Sequence, residues 1–125
     1  ILLDYEETDD HEAFAQNLLE VGLSIVDVFP NKALECHKYV NDIYEIVDCL
    51  PGEIIDLSVE IVCSIAKEDI KKALERMDII DEDGYKLDAL DRIQEFAQSK
   101  EMLDAINDMR SKVKLDISAY EKSLM

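Results

Sequence analysis

Glu53-Ile-Ile-Asp-Leu-Ser-Val-Glu-Ile-Val-Cys-Ser-Ile-Ala66 is the stretch whose reading decides the fold. Two periodicities fit it. Ile55, Leu57, Val59, Ile61, Cys63 and Ile65 alternate as in a half-buried strand. Ile54, Leu57, Ile61 and Ile65 also fall on one helical face, thickened by Ile55, Val59 and Val62. A strand needs a partner, and no second strand candidate exists anywhere in the chain. The stretch is therefore expected to be a helix. Being apolar nearly all round, it is expected at the centre of the fold.

The flanking segments agree. Upstream, Phe14, Leu18, Val21, Ile25 and Phe29 recur at helical steps, so the spacing predicts an amphipathic helix with that stripe buried. Asp9-Asp10-His11-Glu12 resembles a helix start, an Asp cap with Glu close behind. Pro30 is expected to end this helix. Asn31 is a good N-cap for a second, with Cys36, Val40, Ile43, Val47 and Leu50 as its stripe, broken by Pro51-Gly52. The short spacing predicts an antiparallel helical hairpin.

Downstream, Lys67-Glu68-Asp69 opens a fourth segment, either separate or a bent continuation of the third, with Ile70, Ala73, Leu74 and Met77 on one face. Asp81-Glu82-Asp83-Gly84 reads as a turn in which Gly84 supplies a positive φ. A fifth helix is expected from about Leu87 to Gln98, burying Leu90, Ile93 and Ala97. Ser99 can cap a sixth, whose stripe is Ile106, Met109, Val113, Ile117, Tyr120 and Leu124. The expected fold is all-α: one domain, residues 1–125, a compact bundle of five to six helices with an acidic lead-in over residues 1–8. Scarce Gly and Pro, 3 and 2, fit this better than a turn-rich sandwich.

Charge is the second informative feature. The net charge is −17, and the first 66 residues hold −13 of it. Residues 1–29 contain Asp4, Glu6, Glu7, Asp9, Asp10, Glu12, Glu20 and Asp27, and no Lys or Arg. Asp81, Glu82 and Asp83 make a second acidic cluster. Such surfaces repel nucleic acid and anionic membranes and favour a basic protein. Natural surfaces usually mix both signs unless a field is wanted. The basic residues Lys67, Lys71, Lys72 and Arg76 are matched by nearby acids and offer no recognition surface for nucleic acid.

Catalytic and metal signatures are missing. Asp81-Glu82-Asp83-Gly84 fails as a calcium loop, because Ile79 and Leu90 would occupy its first and last ligand positions. Cys36, Cys49 and Cys63 lack the tight pairs of zinc sites, and adjacent Cys36 and His37 diverge on a helix. Three cysteines with no framework spacing suit reduced core thiols in the cytoplasm. His11 and His37 have no nucleophile in a recognisable elbow. No catalytic residue, metal ligand or cofactor is expected. The expectation is an acidic protein that binds and neutralises a basic target such as a nucleic-acid-binding enzyme, as nucleic-acid mimics, anti-defence proteins and immunity proteins do. Asp4, Glu6, Glu7, Asp9, Asp10, Glu12, Glu20, Asp27, Asp81, Glu82 and Asp83 would form its binding surface. The alternative is a helical scaffold or homodimeric module that binds through an apolar groove.

Overall fold

The computed structural model describes residues 8–47 and 52–124. The fold is all-α. Its helices are α1 (Thr8–Ile25), α2 (Pro30–Val47), α3 (Gly52–Ala66), α4 (Ile70–Glu75), α5 (Asp83–Gln94) and α6 (Lys100–Ser123). A single 3-10 turn, Met77–Ile79, lies between α4 and α5, and no strand occurs among the described residues. The ambiguous stretch is thus helical. It buries Ile54, Leu57, Ser58, Val59, Ile61, Val62, Cys63, Ser64 and Ala66, as an all-round apolar helix must.

The chain divides into two compact units, Ile1–Ile61 and Val62–Met125, and the division falls inside α3. In the first unit α1 packs along α2. The buried face of α1 is not the one the large residues marked. Ala15, Leu19 and Val26 are buried, together with Gly22, whereas Phe14, Val21 and Phe29 are exposed and Leu18 and Ile25 half-buried. The reason is close approach. A Cβ placed on Gly22 would lie 3.0 Å from Leu57 Cδ2 and 3.4 Å from Cys36 Cβ. Small residues at positions 15 and 22 let α2 and α3 come close to the backbone of α1, which bulky side chains would prevent.

Boundaries shift for local reasons. α1 begins at Thr8, so Asp9 and Asp10 belong to its first turn instead of capping it. It ends at Ile25, ahead of Pro30. Pro30 opens α2, because its fixed φ and missing N–H suit the first helical position. Asn31 is consequently inside the first turn, and the Phe29 carbonyl accepts from the N–H groups of Lys32 and Ala33. In α2, Ala33, His37, Val40 and Ile43 are buried and Cys36 is half-buried. The positions of Leu50 and Pro51 lie outside the described residues.

The second unit has α5 and α4 packed on α6. Asp69 caps α4 by accepting from the Lys72 N–H at 3.2 Å, which makes α4 a new helix and not a bent extension of α3. Ile70, Ala73 and Met77 are buried as expected. Asp83 and Gly84 form the first turn of α5, so Gly84 is helical and has no positive φ. The dipole at a helix start favours Asp83 there and overrides the turn reading. α5 accordingly ends at Gln94, leaving Ala97 beyond it, and Ser99 caps α6 by accepting from the Met102 N–H at 3.2 Å. On α6 only Ile106 and Val113 are buried, and the stripe emerges at Tyr120 and Leu124, both exposed.

Candidate partner-binding surface

The two units carry the same number of carboxylates. Residues 1–61 hold fifteen acids and two bases, Lys32 and Lys38, for a net −13. Residues 62–125 hold fifteen acids and eleven bases, for a net −4. The excess negative charge is therefore a shortage of bases in the first unit. Lys32 pairs with Glu35 at 3.3 Å on the surface of α2, which spends one of the two.

In the second unit acids are answered. Arg110 donates to Asp91 at 3.0 Å and to Gln94 Oε1 at 2.7 Å, tying α6 to α5. Lys86 pairs with Asp83 at 3.5 Å one turn away. This bears on the second acidic cluster. Asp81 and Glu82 are exposed just before α5, but Asp83 is half-buried and already paired.

Of the first cluster, Glu20 and Asp27 are exposed on α1 and in the turn that follows it. The backbone of Asp9, Asp10 and Glu12 is in the first turns of α1. Asp4, Glu6 and Glu7 lie outside the described residues. What the sequence reading did not foresee is the open apolar surface of α1 and the turn after it. Val28 is 72% exposed, Phe29 56%, Val21 48% and Phe14 37%, and half-buried Leu18 and Ile25 complete the row. At about 100° per residue, Glu20 points roughly 130° away from both this row and the packed Ala15–Gly22 side, and Asp27 lies in the turn beyond α1. α1 thus has a packed face, a partly open apolar row and a separate polar side that carries Glu20.

No family model, curated protein or solved structure matches the chain.

Chemistry-bearing side chains elsewhere are occupied in packing. His37 is buried in α2, and its Nε2 lies 2.9 Å from Ser58 Oγ on α3. Ser58 donates to the Ile54 carbonyl at 2.7 Å. A hydroxyl has one proton, so with that proton committed His37 Nε2 must donate to Ser58 Oγ. A base-activated serine needs the opposite polarity, with imidazole accepting from the hydroxyl. This pair satisfies buried polar groups between two helices. Cys36 is a free thiol and Cys63 is buried in α3. Burial pushes the Cys36 thiol above its ordinary value, reinforced by the neighbouring Glu35 carboxylate and opposed by a backbone hydrogen bond, so it is a poor nucleophile. Among the described residues no group of three or more His, Cys, Asp or Glu could hold a metal ion. No described helix is long and apolar enough to cross a membrane. An open apolar groove of about 510 Å³ lies between α4 and α6 in the second unit, lined by Ile70, Leu74, Met102, Ala105 and Met109 with Lys71, Glu75 and Glu101 at its edges.

Proposed function

We propose that this protein is a cytoplasmic acidic binding protein that recognises and neutralises a basic protein target, of the kind represented by nucleic-acid-binding enzymes. The observation that carries this reading is the charge segregation: equal acids in both units, but two bases in the first against eleven in the second. A surface needing only solubility would balance its acids locally, as the second unit does. A field of one sign steers a basic partner and raises its association rate. Carboxylates then occupy a site that normally takes phosphates. The free Cys36 thiol suits a reducing compartment.

The test is binding to a basic nuclease or another basic nucleic-acid-binding enzyme while salt is raised. Affinity should fall steeply as the Debye length shrinks from about 10 Å at 0.1 M. Reversal of Asp4, Glu6, Glu7, Asp9, Asp10 and Glu12 to lysine should abolish it. Binding indifferent to both would remove the reading.

A second reading, a homodimeric interaction module, is favoured by α6. That helix carries five acids and five bases, and exposes Leu115, Tyr120 and Leu124 near its C-terminal end. A helix with no net charge is where copies of a −17 chain would meet with least repulsion. Sedimentation giving a dimer that Tyr120→Ser and Leu124→Ser dissolve would establish it.

A further inference from the structure

We draw no further inference here: the strongest candidate, the open apolar groove of about 510 Å³ between α4 and α6, carries charges of both signs at its edges, Lys71 with Glu75 and Glu101, and nothing in the structure shows what covers it.

Discussion

In the first unit, α1 packs through Ala15 and Gly22 and leaves Phe14 and Val21 exposed, whereas α5 in the second unit buries its Leu90 and Ile93. In the turn after α1, Val28 and Phe29 also face solvent. In α5, Ala89, Leu90 and Ile93 go inward, and Arg110 of α6 pins the helix through Asp91. The charges follow the same division: fifteen acids with two bases in one unit, fifteen with eleven in the other. Such a contrast teaches where to look for function. A surface whose charges answer one another is complete in itself. One with unanswered charge is complementary to something else.

Two helical glycines, Gly22 and Gly84, offer the sharpest way to break this contrast. Gly22 sits against Leu57, so Gly22→Leu should overpack the first unit and cost about 3 kcal/mol, seen as a lower urea midpoint. A neutral result would mean that the close approach does not hold α1 in place. That would remove the reason its large residues face outward.

Next in size is the buried polar link. Ser58→Ala removes the hydroxyl that His37 Nε2 bonds, and should cost about 1–3 kcal/mol in the same measurement. A cost near zero would show that His37 finds another partner for that nitrogen and that the link contributes little to the first unit.

The smallest effect is in the second unit. Nothing lies within 4 Å of a Cβ built on Gly84, which is helical. Gly84→Ala should therefore stabilise by about 0.5–1 kcal/mol. Opposite signs at the two glycines would sharpen the contrast between a helix start in open space and a helix interior under close packing.

Much of the architecture was legible because it rests on period and composition. The helix at residues 53–66 followed from its apolar run and from the absence of a strand partner. Ser99 was legible as a helix start, because a side-chain oxygen next to free N–H groups is a local arrangement, whereas Lys67-Glu68-Asp69 left open whether α4 was separate from α3 until Asp69 was seen to cap it. The packed face of α1 was not. Phe14, Val21 and Phe29 outweigh Ala15 and Gly22 on any hydrophobic scale, yet burial depends on how near another backbone can come. The available signal was the second heptad row, Ala15, Leu19, Gly22 and Val26, whose small members mark a close contact. Gly84 misled for a related reason: glycine suggests a turn, but Asp83 beside it suits a helix N-terminus. For the candidate surface, the acid excess was visible from the start. The partly open apolar row of α1 was hidden by the assumption that a stripe of large residues must be a core.

The most direct test of the account asks whether the place of the charge matters or only its total. One variant neutralises eight acids of the first unit, Asp4, Glu6, Glu7, Asp9, Asp10, Glu12, Glu20 and Asp27, as the amides. A second neutralises eight exposed acids of the other unit, Glu68, Glu75, Asp88, Glu95, Glu101, Asp104, Asp108 and Asp116. Both reach the same net charge. Affinity for a basic nuclease is then measured across a salt series, with circular dichroism confirming the fold. The account predicts that the first variant loses binding and its salt dependence, whereas the second binds nearly as the parent does. Equal losses in the two variants would contradict it.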